Sequence, residues 1–240
     1  MSALSDVTGM SMAACELMSA FSVQLCLRHI PGLRPPFRDK SPWIVLFEFH
    51  GSIGLRSTVQ AEMVNLLEKG VAIDAVLAEN TSQTANFWRL RESVPEAQSH
   101  EGASIKHDIS VPPERMGTFV EQAPQATQAE IPGGRVVAFG HLGDGNLHFN
   151  ISQPLGADPT QFLENWDHAN QIVHDIAVSL GGSISAEHGI GLAKLNELAR
   201  LYSPIELELM HSLKEALDPE GIMNPGKILP QPCVSPKMET

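Results

Sequence analysis

Two histidines flank an Asp-Gly step in Gly140-His141-Leu142-Gly143-Asp144-Gly145-Asn146-Leu147-His148-Phe149-Asn150. The run Arg135-Val136-Val137-Ala138-Phe139 before it and Ile151-Ser152 after it are strand-like, and Asp-Gly between two such runs is a strong hairpin signal. A two-residue turn at Asp144-Gly145 pairs 143 with 146, 142 with 147 and 141 with 148. His141 and His148 then oppose each other with Cβ atoms roughly 4.5–5.5 Å apart, a span over which two imidazoles can grip one metal ion. Alternation along the strand puts Asn150 on the His148 face. The plainer reading is a pair of polar residues on a solvated hairpin. The surrounding glycines, which let a ligand approach the backbone closely, weigh against it.

Glu187-His188 is a second site of interest, with glycines at 181, 182, 189 and 191 that suggest a tight turn converging on a ligand. A carboxylate added to His141 and His148 completes a His/His/Glu metal set with an open position. His188, if it diverges from its neighbour, is placed to act as a general base. The bland alternative is a helix N-terminal carboxylate beside a solvated imidazole. Arg89, Arg91, Lys106 and His107 form a third cluster. Arg could clamp a carboxylate bidentately and Lys as a point charge, although residue types alone favour surface roles such as an Arg91-Glu92 ion pair. Gly140-x-x-Gly143-x-Gly145 lacks the spacing of a dinucleotide fingerprint, and Gly189–Lys194 is not a P-loop.

These side chains need elements to hold them. Residues 13–29 carry a helical apolar pattern stopped by Pro31, Pro35 and Pro36. Trp43 to Phe49 reads as a strand, 57–69 as a helix and 71–77 as a second strand. A helix capped by Thr81 or Ser82 runs to about residue 98. Ile105 to Val111 is a strand, and Pro112-Pro113 open another helix. After the hairpin, 159–180 reads as one long amphipathic helix. Its His168 and His174 fall on the solvated side, while His29, His50, His100 and His211 have no evident partners. A short strand at 183–186 and a helix over 205–217 complete the reading. Direct pairing of hairpin strands favours an α+β fold, a largely antiparallel sheet covered by helices, over a doubly wound parallel sheet. With no composition break, residues 1–240 read as one domain.

The whole chain bounds the options. Its 240 residues suffice for a sizeable core. Sixteen basic against twenty-eight acidic residues give a net charge of −12, which argues against nucleic acid or an anionic membrane as main partner. Cys15, Cys26 and Cys233 show no zinc or disulfide spacing. The N-terminal apolar stretch, broken by Glu16, is too short to span a bilayer. A soluble, cytoplasmic protein without a membrane span is the expectation.

Three long motifs carry a family resemblance: Gly140 to His148, Gly182-Ser-Ile-Ser-Ala-Glu-His-Gly-Ile-Gly191 and Asn224-Pro-Gly-Lys-Ile-Leu229. With Trp88-Arg-Leu-Arg-Glu92 and Ile105-Lys-His-Asp-Ile-Ser-Val-Pro112, the chain from about Glu16 to Leu229 resembles the C-terminal (cap, or substrate) domain of FAD-linked 2-hydroxy-acid dehydrogenases. These are the D-lactate and D-2-hydroxyglutarate dehydrogenases of the vanillyl-alcohol-oxidase type. The resemblance implies that His141, His148 and Glu187 ligate a divalent metal, usually zinc. It implies that Asn150 hydrogen-bonds substrate or metal-bound groups, and that Arg91 and Lys106 hold the substrate carboxylate. His188 would take the 2-hydroxyl proton while hydride passes to the flavin, and Asn224 and Lys227 would lie on the cofactor side. Pro95 stands where that family often has a hydroxyl residue, a departure that concerns substrate identity rather than chemistry. No stretch matches an N-terminal flavin-binding domain, so FAD would come mainly through another domain or subunit, the expected partner besides a small 2-hydroxy acid. An apolar face normally covered by that domain could drive homo-oligomerisation. Two further readings stand beside this one: a non-catalytic remnant or partner-binding subunit, and a stand-alone metal-dependent hydrolase.

Overall fold

The structure, a computed structural model, describes residues 11–38, 41–51 and 54–229. The described residues divide into two compact units, one running to Ile184 and the other starting at Ser185.

The first unit is built on five antiparallel strands, β1 (Ser11–Ser19), β2 (Trp43–His50), β3 (Ser104–Ser110), β4 (Arg135–His141) and β5 (Asn146–Ser152), in spatial order β2-β1-β4-β5-β3. Its helices are α1 (Ala20–His29), α2 (Leu55–Glu68), α3 (Thr81–Glu92), α4 (Val94–Ser99), α5 (Met116–Glu130), α6 (Pro159–Leu163) and α7 (Trp166–Ser179). The expected α+β sheet covered by helices is present.

Directly paired residues share a face of the sheet. One face presents Leu17, Ile105, Ile109, Ala138, Leu147, Phe149 and Ile151 to α5 and α7, whose Phe119, Ala123, Ala169 and Val173 fill the same core. The other face divides. Met18, Val137 and Phe139 meet Val23, Leu25, Leu90, Val94 and Ala97 from α1, α3 and α4, and the remainder is polar. Each fully buried Leu, Ile or Phe in these layers contributes about 1.5–3 kcal/mol, so the sheet is clamped from both sides.

Several local expectations are overturned. The helical pattern over 13–29 is a strand as far as Ser19, and the helix begins only at Ala20. β1 lies between β2 and β4, and its burial on both faces supplies a continuous apolar run that periodicity cannot separate from a helix. Ser19 marks the change by accepting a hydrogen bond from Ser22 N at 3.2 Å. No strand forms over 71–77. The Val71 and Ala72 amides instead close a turn on Leu66 O, and Val71 and Ile73 are exposed. The single helices expected to residue 98 and over 159–180 are each two, interrupted at Ser93 and at Glu164-Asn165. Asn80, rather than Thr81 or Ser82, caps α3 by accepting from Gln83 N at 3.0 Å. Pro113–Arg115 is a 3-10 turn ahead of α5. Residues 183–186 reduce to one bridge, Ser110 to Ser183. His174 is buried, edge-on to His107 with ring centroids 5.6 Å apart, instead of lying on a solvated face.

His29 has partners after all. Its Nε2 lies 2.6 Å from Glu101 Oε1, which also accepts from Arg28 at 3.0 Å, while Arg135 takes Glu101 Oε2. One carboxylate thus ties the end of α1 and the start of β4 to the turn before β3. Burial alone would push the Glu101 carboxyl up, but hydrogen bonds from His29 and Arg135, the Arg135 charge and the Arg28 contact outweigh it and bring it down to about 2. A depressed carboxyl stabilises the fold above its unfolded value near 4.5, and that contribution is lost as pH falls toward 2. Glu101→Gln is expected to cost roughly 1–3 kcal/mol at pH 7 and to flatten the loss of stability between pH 4.5 and 2. Urea denaturation of parent and variant at several pH values checks this; parallel profiles would refute it.

The second unit carries α8 (Leu195–Leu201) and α9 (Pro204–Leu217). Ser203 and Glu206 form a reciprocal capping box at the start of α9, close to where the sequence places that helix. Residues 187–194 are turns and loop ahead of α8. Among the described residues, no helix is long and apolar enough to cross a membrane.

Candidate functional site

The hairpin register differs from the one Asp144-Gly145 suggests. β4 and β5 pair Phe139 with His148, Ala138 with Phe149 and Val137 with Asn150, so the connection is the four-residue loop 142–145 rather than a two-residue turn. The loop is held by its backbone: Leu142 N donates to Cys15 O at 2.8 Å, and Val111 N to Gly145 O at 2.9 Å. Gly145 has φ +77°, and a Cβ there would lie 1.9 Å from Val111 O. That close approach, and not a type I′ turn, is why glycine stands at this position. The shift is by two residues, so His141 and His148 stay on one face. They are diagonal neighbours, about 7–8 Å apart at the backbone, instead of directly opposed.

The pairings build that polar face row by row. Lys106 opposes Asn150, Asp108 opposes His148, and Glu16 on β1 opposes His141. Glu16 is buried and accepts from His141 Nδ1 at 2.7 Å through Oε1 and from Arg91 Nε at 2.7 Å through Oε2. Arg91 sits in the last turn of α3, with its guanidinium carbon 5.0 Å from the centre of the Phe139 ring. Phe139 in turn lies 4.9 Å from the His148 ring, whose Nδ1 is 4.0 Å from Asp108 Oδ1. Among the described residues, Nε is the one Arg91 nitrogen with a hydrogen-bond partner. The terminal fork of the guanidinium therefore has the geometry to meet a carboxylate edge-on.

Asn150 is buried. Its Oδ1 accepts from His107 N at 3.3 Å and its Nδ2 donates to Gln98 Oε1 at 2.9 Å. Lys106 is exposed and has no ion pair among the described residues. The other two members of the basic cluster leave it. Arg89 donates to Pro31 O at 3.0 Å, and His107 points to the opposite face, its Nδ1 2.7 Å from Phe149 O. Strand alternation makes Lys106 and His107 incompatible as co-ligands. The Arg91-Glu92 surface pair gives way to the buried pair with Glu16.

In the second unit, His188, Gly189, Ile190, Gly191, Asn224, Lys227 and Ile228 line an open groove of about 440 Å³. Ile228 N donates to Gly191 O at 2.9 Å, which draws the two predicted motifs together. Asn224 and Ile228 both have positive φ; for a β-branched residue this is an unusual conformation of the kind that clusters at ligand sites. Glu187 and His188 are both exposed.

Glu16, Asp108 and Phe139 are the site residues that sequence reasoning missed. A lone carboxylate inside the apolar run Ala13-Ala14-Cys15-Glu16-Leu17-Met18 was the available signal, since such a group must find a buried partner. Cys15 and Cys26 add no chemistry. Burial pushes both thiols up to about 11, which keeps them protonated at neutral pH.

Known proteins resemble this chain in fold or in sequence. The 4-ethylphenol oxidase of Gulosibacter chungangensis superposes with a TM-score of 0.58 at 17% identity, over 91% of this chain and 48% of that one. A p-cresol methylhydroxylase matches with a TM-score of 0.58 at 15% identity, over 89% and 46%. At that identity the likeness concerns the fold. In sequence, the chain is 37% identical over 229 residues to the mitochondrial D-2-hydroxyglutarate dehydrogenase of Arabidopsis thaliana, covering 95% of this chain and 40% of that protein. It is 37% identical over 194 residues to the D-2-hydroxyglutarate dehydrogenase of Stutzerimonas stutzeri (strain A1501), covering 80% and 42%. The chain thus spans about two fifths of the length of these curated relatives. The model of the FAD linked oxidases, C-terminal domain, matches residues 1–228, and the chain belongs to that family.

Proposed function

We propose that this chain is the substrate- and metal-binding part of an FAD-dependent dehydrogenase that oxidises a D-2-hydroxy acid, D-2-hydroxyglutarate before D-lactate, to the 2-oxo acid. The observation that carries the reading is the polar sheet face, where Arg91 and His141 meet on one buried carboxylate and His148 and Asn150 stand on the same face. The relatives named D-2-hydroxyglutarate dehydrogenase support the choice of acid, and a second cation on the same face, Lys106, suits a dicarboxylate.

Two imidazoles and a carboxylate are donor types that suit a divalent metal. His141 gives Nδ1 to a carboxylate at 2.7 Å, the outer partner that orients a metal-ligating imidazole, so Nε2 is the nitrogen that would ligate. His141, His148 and Glu187 would hold the ion, zinc by the chemistry of a His/His/Glu set. The groove beside His188, with glycine backbone, the Asn224 amide and the Lys227 ammonium, suits the edge of a polar, anionic cofactor. The chemistry these groups would supply when bound is a more acidic hydroxyl from the metal and a hydride acceptor from FAD.

The chain's own residues do the rest. Arg91 and Lys106 orient the acid by its carboxylates. Asn150, fixed by Gln98 and the His107 amide, offers a rigid polar edge. His188 takes the proton from the substrate hydroxyl. A test supplies this chain with a flavin-binding domain, in cis or in trans, and follows 2-oxo acid formation from D-2-hydroxyglutarate and D-lactate alongside metal content. Turnover with about one metal per chain supports the reading; a flavin-loaded, metal-free complex with full turnover refutes the metal set, and no turnover with either acid refutes the substrate class.

A further inference from the structure

Glu16 contacts neither substrate nor metal in this reading, yet it joins a residue of each role, Arg91 and His141. It is buried, and both of its oxygens are committed, Oε1 to His141 Nδ1 and Oε2 to Arg91 Nε, each at 2.7 Å. The position is over-determined. β1 is the middle partner of β2 and β4, and Cys15, Leu17 and Met18 on either side of Glu16 are core residues. The carboxylate therefore cannot turn toward solvent without pulling β1 out of the sheet.

We propose that Glu16 is a positioning residue for metal ligation: held by Arg91, it keeps the His141 proton on Nδ1 and so presents Nε2 as the ligating nitrogen. The proposal rests on the reading of His141 as a metal ligand. The reasoning is one of hydrogen-bond sign. A carboxylate can only accept, so a neutral imidazole 2.7 Å from it must carry its proton on the nitrogen that faces it. The ring then has its lone pair on Nε2. Arg91 completes the arrangement from the other side, because its charge stabilises the buried carboxylate that would otherwise be costly to bury. One group thereby sets the orientation of the acid-binding fork and the tautomer of the metal-binding ring.

Glu16→Gln is the informative change, since it keeps the shape and alters the donor pattern. If the amide oxygen stays on Arg91 Nε, the amide NH₂ faces His141 Nδ1 and drives the proton to Nε2, where it blocks ligation. If the amide turns round, two N–H donors meet at Arg91. Neither orientation preserves both contacts.

The experiment measures zinc affinity of the full purified chain by chelator competition for the parent, Glu16→Gln and His141→Ala. It also records ¹⁵N signals of the metal-free parent and Glu16→Gln at a pH where the imidazole is neutral. Expected are a loss of zinc affinity of about 10–100-fold in Glu16→Gln and Nδ1-protonated His141 in the parent, moving to Nε2-protonated in the variant. Zinc lost in His141→Ala but kept within about threefold in Glu16→Gln overturns the role of Glu16 alone. Weaker zinc binding with no change in the protonated nitrogen reduces Glu16 to a background charge and overturns it too. A parent that takes up no zinc, or a His141→Ala variant that keeps it, sinks the metal reading and this proposal together. Should Glu16→Gln fail to fold, the parent signal still decides: Nε2-protonated His141 in the metal-free chain refutes the proposal.

Discussion

His188→Gln is expected to lower kcat for D-2-hydroxyglutarate oxidation by about 10²–10⁴-fold, the usual worth of a general base, when the chain is supplied with a flavin-binding domain. His188 is exposed, at the start of the groove that also holds Asn224 and Lys227, so removing its imidazole leaves no cavity in a packed core. The thermal midpoint and the metal content of the variant should therefore match the parent. KM should change little, because proton removal is stabilised only on the way to the transition state. A drop of less than about fivefold would assign the proton to another acceptor. A drop accompanied by loss of metal would make His188 a ligand rather than a base.

The second large effect is expected at Arg91. Arg91→Lys keeps the charge but not the planar fork, and an ammonium cannot hold Glu16 and a substrate carboxylate in the same geometry. Losing a bidentate, charge-assisted contact of about 1.5–3 kcal/mol raises KM for D-2-hydroxyglutarate roughly 10–100-fold, with a smaller change in kcat. Steady-state kinetics at fixed pH checks the split. Equal falls in kcat and kcat/KM with KM unchanged would mean that Arg91 acts on the transition state rather than on substrate binding. Because Arg91 also neutralises a buried carboxylate, some stability is lost as well, and the thermal midpoint should be read beside the kinetics. Lys106 offers a contrast: it is exposed and carries no ion pair among the described residues, so Lys106→Met should raise KM without lowering the midpoint. On the proposed reading the two cations act alike on the acid and differ in what they do for the fold.

Much of this site was legible in the residues themselves. The Gly140–Asn150 stretch announced a hairpin with both histidines on one face, and that part holds because a two-residue error in register preserves the alternation of side chains. The pairing itself was not legible. Asp144-Gly145 looks like a turn by local chemistry, and the four-residue loop is chosen by contacts from elsewhere in the chain, Cys15 O on Leu142 and Val111 N on Gly145 O. The helix assigned across residues 13–29 failed for a related reason. A strand buried on both faces carries no alternation to distinguish it, and only its neighbours β2 and β4 make it a strand.

The sequence by itself determined the residue types that could do chemistry, the α+β class and the helices whose apolar stripes or caps are local, such as 205–217. Tertiary structure alone decided which of those residues meet. Glu16 and Arg91 are 75 positions apart and Glu16 and His141 are 125 apart, and no local pattern encodes such a junction. A buried carboxylate must be satisfied, but the sequence does not say by whom. That choice falls to the strand order, which sets β1 beside β4, and to the packing of α3 on the same face, which brings the guanidinium to the carboxylate. Arg91, ambiguous as a residue in a basic cluster, becomes a substrate-clamp candidate through the partner the fold gives it.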